Sequence, residues 1–231
     1  MNIAGLVPSS LIDFPGLVSA VVFTPGCNFR CPWCHNAELA RAPADSPPTH
    51  CLDAVFAFLE SRRGILGGVV ITGGEPTLHA ELEGFCATLR SMDFSVKLDT
   101  NGTNPALLER LLDLELLAYV AMDIKGPAES YGSLTGVPGV PLDGIERSMA
   151  ILKDHASAPT STIRAEFRTT VMEPMFDERS LLGMADWIPK GIRWRLQGFT
   201  AQHGMLDPLF AGRAPTAERL VSLQALVDSA R

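Results

Sequence analysis

Apolar and polar positions fall in blocks along this chain: short apolar runs give way to polar, glycine-rich clusters, which are followed by longer segments with helical periodicity. Residues 17–24 form a nearly continuous β-branched run, the pattern of a strand covered on both faces. Further strands are predicted at 69–72, 95–98, 119–122, 163–171 and 192–199. Helices are predicted between them at 51–63, where Leu52, Val55, Phe56 and Leu59 share a face, and at 78–91, 105–116, 142–155 and 178–188. A closing helix at 217–231 turns Leu220, Leu223, Leu226 and Val227 toward the core. Residues 1–17, 41–48, 126–141 and 200–215 are rich in turn formers and are predicted to be irregular.

Strands alternating with helices imply a parallel sheet, because parallel neighbours need a long return. Six such units are too few to close an eight-stranded barrel, so a partial (β/α)6 barrel of the TIM type is expected, with a doubly wound α/β sheet as the alternative. No linker or repeat divides the chain, which reads as one domain over residues 1–231. In either architecture ligands gather at the C-terminal ends of the strands. The polar clusters fall there, so the residues that follow strands one to four are expected to share one cleft.

Composition narrows the setting. The net charge of -7 argues against a nucleic-acid binder working through a basic surface. The longest apolar runs are strand-sized, so no membrane span is expected, and without a signal-peptide pattern the location is expected to be cytoplasmic. The five cysteines are an odd number, which weighs against a disulfide framework. Cys51 and Cys86 stand in helix-like apolar surroundings and are read as packing.

The remaining cysteines carry the chemistry. Cys27, Cys31 and Cys34 stand at C-x3-C-x2-C spacing directly after the first strand, and three soft thiolates on a short loop select an iron–sulfur cluster, zinc or cuprous ion. Zinc would want a fourth ligand, for which His35 is the nearest candidate. Gly73-Gly74-Glu75-Pro76 combines close backbone approach with a carboxylate and a stiff exit, or is an ordinary strand-to-helix turn. At Asp99-Thr100-Asn101-Gly102, short polar side chains suit ribose hydroxyls, a cation or a capping turn. Asp123 and Lys125 are two apart and point to one side, either as site residues or as a surface ion pair. Arg168 in the fifth strand faces either the cleft, where it needs a carboxylate, or solvent.

The segment CNFRCPWC, with Trp33 before its third cysteine, followed by GGEP, resembles the radical S-adenosylmethionine (SAM) enzymes. Cys34-His35-Asn36, the DTNG turn and the DIK triplet look like the glycyl-radical-enzyme activases within that superfamily. The lead-in IDFPGLVSAVVFTPGCNFRCPWCHN is most similar to the activating proteins of anaerobic ribonucleoside-triphosphate reductase. The resemblance implies that Cys27, Cys31 and Cys34 ligate three irons of a [4Fe–4S] cluster whose fourth iron is chelated by SAM. By the same matching, Glu75 and the neighbouring Gly73, Gly74 and Pro76 would receive the SAM amino group. Thr100 and Asn101 would lie near the ribose, and Lys125 and Arg168 near the carboxylate. Asp99 and Asp123 would hold a monovalent cation.

The implied activity is reductive cleavage of SAM to a 5′-deoxyadenosyl radical that abstracts hydrogen from a glycine of a partner glycyl radical enzyme. The electron would come from a separate flavodoxin or ferredoxin, because the chain has no second cysteine cluster. Asp13, in DFPG where pyruvate formate-lyase-type activases carry DGPG, would face the partner's glycine loop. His203 would sit either near the methionine end of SAM or on the surface. Two rival readings are a radical SAM enzyme acting on a small molecule or peptide, and a non-enzymatic iron–sulfur or zinc module.

Overall fold

A computed structural model describes residues 1–200 and 205–231. Seven strands form one sheet in sequential order: β1 (Gly5–Ser10), β2 (Ser19–Thr24), β3 (Gly68–Gly73), β4 (Ser95–Thr100), β5 (Tyr119–Asp123), β6 (Arg164–Val171) and β7 (Arg193–Gly198). β2 through β7 are parallel, and β1 is antiparallel to β2. A strand order that never reverses keeps every crossover helix on one face, which is the arrangement of a partial TIM barrel and not of a doubly wound sheet.

The two faces of the sheet have different chemistry. Val22, Ile71, Leu98, Met122 and Phe167 belong to the larger core, shared with the helices on the convex face. The alternate positions Val21, Val70, Tyr119 and Ala121 form a smaller core on the concave face, closed by Phe14 of the lead-in. Two residues further along the same strands, this face turns polar with Thr72, Asp99 and Asp123. Period-two alternation thus buries an apolar floor and raises polar groups to one rim.

The helices are α1 (Ala37–Arg41), α2 (Leu52–Glu60), α3 (Leu82–Ser91), α4 (Pro105–Asp113), α5 (Tyr131–Thr135), α6 (Leu142–Ser157), α7 (Glu178–Trp187) and α8 (Ala217–Ser229). Local caps explain several starts: Asn104 accepts from Leu107 N ahead of Pro105, Asp177 and Ser180 form a capping box, and Thr216 accepts from Arg219 N.

Three expectations are corrected. The lead-in contains β1, whose Pro8 and serines are tolerated because one of its edges is unpaired. Residues 126–141 are not simply a surface loop, since α5 lies there and its Tyr131 is fully buried, edge-on to Phe29 with ring centroids 6.2 Å apart. Cys51 is exposed at the start of α2 and packs against nothing of note, whereas Cys86 is fully buried as expected.

The free edge of β7 is blocked. Gln224 of α8 accepts from Leu196 N at 2.8 Å and donates through Nε2 to Trp194 O at 2.9 Å, so its side-chain amide pairs the edge as a neighbouring strand would. Gln224→Ala should destabilise the protein by about 1–2 kcal/mol and increase light scattering on incubation. An unchanged melting temperature would show that water replaces the amide at no cost.

Candidate active site at the strand ends

Cys27, Cys31 and Cys34 lie on the loop between β2 and α1, and every one of them lines the same cavity. All five cysteines of the chain are free. Burial pushes the Cys27 thiol up to about 11 and the Cys31 thiol up to about 12, with the Lys125 ammonium opposing it in both cases. Thiols held neutral in this way must give up protons to bind metal. Among the described residues, no three His, Cys, Asp or Glu side chains are gathered tightly enough to hold one metal ion. Three cavity-facing thiols fit a cluster, which offers each its own iron, better than a closed zinc site.

The loop is held by backbone contacts. Gly74 N donates to Thr24 O at 2.9 Å and Glu75 N to Gly26 O at 2.7 Å, so the turn after β3 straps the chain just before Cys27. His79, buried, donates from Nε2 to Pro25 O at 2.9 Å, and Arg30 N donates to Thr135 O at 2.7 Å from the other side. This close crossing explains the glycine pair. Gly73 sits at φ +117°, and a Cβ on Gly74 would lie 1.9 Å from Gly26 O.

Glu75 does not present a free carboxylate. Its Oε1 accepts from Thr77 N, Thr77 Oγ1 and Thr100 Oγ1 at 3.0, 2.6 and 2.8 Å, and its Oε2 accepts from Asn101 N at 2.7 Å. A carboxylate has about four acceptor positions, two on each oxygen; three donors crowd Oε1, and Oε2, with one donor, keeps a position toward the cavity it lines. Burial pushes this carboxyl above its ordinary range while the four hydrogen bonds pull the other way. Glu75 therefore ties the turn after β3 to the turn after β4. Asn101 extends the tie by donating to Asn28 Oδ1 at 2.8 Å, which reaches the cysteine loop.

Across the cavity, four side chains from three strands and one from the turn after β5 make an alternating ion chain: Lys97, Asp99, Arg168, Asp123, Lys125. Lys97 Nζ donates to Asp99 Oδ1, and Arg168 Nη1 donates to Asp99 Oδ2 at 3.2 Å. Arg168 Nε donates to Asp123 Oδ1 at 2.8 Å, and Lys125 Nζ to Asp123 Oδ2 at 3.0 Å. Burial pushes the Asp123 carboxyl up, but Arg168 and Lys125 outweigh it and hold the group well below the usual carboxylate range. Lys125 and Arg168 are in turn held above their ordinary values against their own burial, chiefly by Asp123.

These groups surround a cavity of about 410 Å³, within the size range of small-molecule sites. The description that fits the chain is "Radical SAM superfamily", matched over residues 21–168. This chain belongs to the radical SAM superfamily. A Methanocaldococcus jannaschii protein provisionally named a glycyl-radical enzyme activating enzyme is 32% identical over 203 residues, 85% of this chain and 79% of that protein. The pyruvate formate-lyase-activating enzyme of Listeria monocytogenes is 26% identical over 214 residues, 82% of this chain and 86% of the relative. In fold, the chain is similar to a TYW1 structure with a bound lysine-pyruvate adduct, with TM-score 0.60 and 16% identity over 91% of this chain and 73% of that one.

The protein is thus a radical SAM enzyme, and membership implies a [4Fe–4S] cluster and SAM. Of the positions singled out in the sequence, Trp33, Gly73, Gly74, Glu75, Thr100, Asn101, Lys125 and Arg168 line the cavity with the cysteines, Asp99 and Asp123. Pro76 is buried behind it at the start of a 3-10 turn. Nothing supports the expected monovalent cation: each oxygen of Asp99 and Asp123 already accepts from Lys97, Arg168 or Lys125, and three cationic side chains surround the pair. Thr100 is likewise committed, donating to Glu75 and accepting from Gly102 N. Asp13 is exposed at the cavity wall, and His203 lies outside the described residues. Lys97, Asn28, Thr170 and Gln197 escaped the sequence reading. Lys97 carried a usable signal, since it stands two before Asp99 on a strand and must share its face.

No helix among the described residues is long and apolar enough to cross a membrane.

Proposed function

We propose that this radical SAM enzyme is a glycyl-radical-enzyme activase, with an anaerobic ribonucleotide reductase as its partner and a flavodoxin or ferredoxin as electron donor. The observation that carries the reading is similarity over most of both chains to proteins named as glycyl-radical-enzyme activators. In this reading residues 1–231 act as one unit. Cys27, Cys31 and Cys34 would hold the cluster, and the group would supply there the electron for cleavage of SAM to methionine and a 5′-deoxyadenosyl radical.

The chain's own residues bind and aim. Glu75, through the acceptor position left on Oε2, and the neighbouring backbone of Gly73 and Gly74 would receive the SAM amino group. Lys125 and Arg168 face the carboxylate with donors beyond those spent on Asp123 and Asp99. Asn101 lies near the ribose, held in place by Asn28 and Thr103. Trp33, buried against Phe210 at 5.7 Å between ring centroids, closes the apolar side of the cysteine loop.

Anaerobically reconstituted protein given dithionite and SAM should form 5′-deoxyadenosine, and an added anaerobic reductase should acquire a glycine-centred radical signal by electron paramagnetic resonance. Cys34→Ala should abolish both. An intact cluster that leaves SAM uncleaved would refute the enzyme chemistry. Cleavage that deposits its product on a small molecule, with no radical on any reductase, would refute the partner.

A further inference from the structure

Asn28 follows the first cysteine of the site loop and is exposed, yet both ends of its side-chain amide are engaged by a single turn. Asn101 Nδ2 donates to Asn28 Oδ1 at 2.8 Å, Asn28 Nδ2 donates to Thr103 Oγ1 at 2.8 Å, and Thr103 Oγ1 donates to Asn101 Oδ1 at 2.7 Å. The side chains form a closed ring in which each gives one hydrogen bond and takes one, so every bond polarises the next in the same sense. An ordinary Asn-Gly turn accounts for the edge between Asn101 and Thr103, because Thr103 N also donates to Asn101 Oδ1 at 3.0 Å. It does not account for Asn28, which enters from 73 residues away.

The ring completes a frame around Cys27. On one side of that cysteine, Gly26 O accepts from Glu75 N at 2.7 Å. On the other, Asn28 is bonded to Asn101 and Thr103. The two straps meet, because Glu75 Oε2 accepts from Asn101 N at 2.7 Å. The path Gly26, Cys27, Asn28, Asn101, Glu75 therefore returns on itself. Asn101 is buried and lines the cavity. Its Oδ1 spends both acceptor positions on Thr103 while its Nδ2 keeps one hydrogen, so toward the cavity it is a donor only. That suits an oxygen acceptor such as a ribose hydroxyl. A ligand that takes this hydrogen pulls on the amide that holds Asn28, and through it on the backbone next to Cys27.

We infer that Asn28 and Thr103 are positioning residues that couple nucleoside binding at the turn after β4 to the metal-bound state of the cysteine loop. Occupation of either end sets the geometry of the other, and such a coupling is reciprocal. Neutral, partly exposed hydrogen bonds support a coupling of about fivefold in affinity, not one of several hundredfold. The inference goes beyond the activase reading and rests only on its placement of Asn101 near the ribose.

The probe is 5′-methylthioadenosine, which keeps the adenine and ribose of SAM and lacks the amino-acid end that could chelate iron. Its dissociation constant is measured by anaerobic equilibrium dialysis on the full chain, iron-free and after reconstitution. The reconstituted wild type should bind about fivefold more tightly than the iron-free protein. Thr103→Val, which keeps the shape and removes the hydroxyl, and Asn28→Ala should each bring this ratio close to one. The double variant should lower it no further, since either change opens the same ring. Thr103→Ser keeps the hydroxyl and should retain the ratio. A residue that only stiffened the turn would move both dissociation constants together and leave their ratio as it was. A wild-type ratio of one or less, or a ratio that persists in both single variants, would overturn the coupling and leave Asn101 at the ribose. Failure of the nucleoside to bind either form would remove that placement and the inference with it. The activase reading is decided apart from these outcomes, by radical formation on the reductase.

Discussion

Gly74→Ala should unfasten the cysteine loop, lowering stability by about 3 kcal/mol or more and emptying the protein of iron after reconstitution. The added Cβ would sit 1.9 Å from Gly26 O and 2.5 Å from Gly26 C, and these are backbone atoms that no rotamer change can move aside. The chains cross this closely because Gly74 N and Glu75 N bond the carbonyls of Thr24 and Gly26. Relief of the clash must therefore break at least one strap. It would also shift Glu75, whose four hydrogen bonds hold the neighbouring turn. In a chain of this size the loss corresponds to a melting temperature lowered by about 10 °C. Gly84→Ala is the matched control: it lies in α3 with nothing within 4 Å of its added Cβ, and should raise stability by up to about 1 kcal/mol. A Gly74→Ala protein with wild-type melting and full iron would show that the strap is not needed to hold the loop.

The same contacts show why parts of the site were legible in sequence and parts were not. Strand-to-turn alternation located the cavity, because each β-branched run ends in a cluster that cannot continue as strand: cysteines after β2, glycines after β3, Asn-Gly after β4. What alternation could not reveal is where a side chain spends its hydrogen bonds. Glu75 looks like a free carboxylate in sequence, yet Thr77 and Thr100 crowd one of its oxygens and Asn101 N bonds the other. Asp99 and Asp123 look like an empty anionic pair until Lys97, on the preceding turn of the pleat, and Arg168, from β6, are placed beside them. Such partners are set by sheet register across 69 residues of sequence, and no local pattern carries that. β1 was missed for the opposite reason: Pro8 and the serines argue locally for a turn, and only its pairing with β2 makes it a strand.

Arg168→Met should cost about 3–5 kcal/mol at neutral pH, because it removes the cation shared by two largely buried carboxylates while keeping the apolar stem. Arg168 is the middle of the ion chain; its side chain is 14% exposed, and so is that of Asp99. Lys97 and Lys125 remain, each bonded to one aspartate, but the two carboxylates would face each other without the guanidinium between them. The pH dependence gives the test its sign. In the native protein Asp123 is held below the ordinary carboxylate range, so its contribution is fully present above its unfolded value, about 3.9, and fades as pH falls through the depressed native value. Without Arg168, Asp123 protonates more readily in the folded state, and the proton taken up relieves the repulsion. The stability difference between wild type and Arg168→Met, measured by chemical denaturation, should therefore be largest near neutrality and should narrow as pH is lowered through about 5 toward 4. Asp123→Asn added to Arg168→Met should recover part of the loss, since it removes one of the stranded charges. A penalty that stays constant across this range, with no recovery in the double variant, would mean that Arg168 acts through packing alone and that the chain Lys97, Asp99, Arg168, Asp123, Lys125 is not an electrostatic unit.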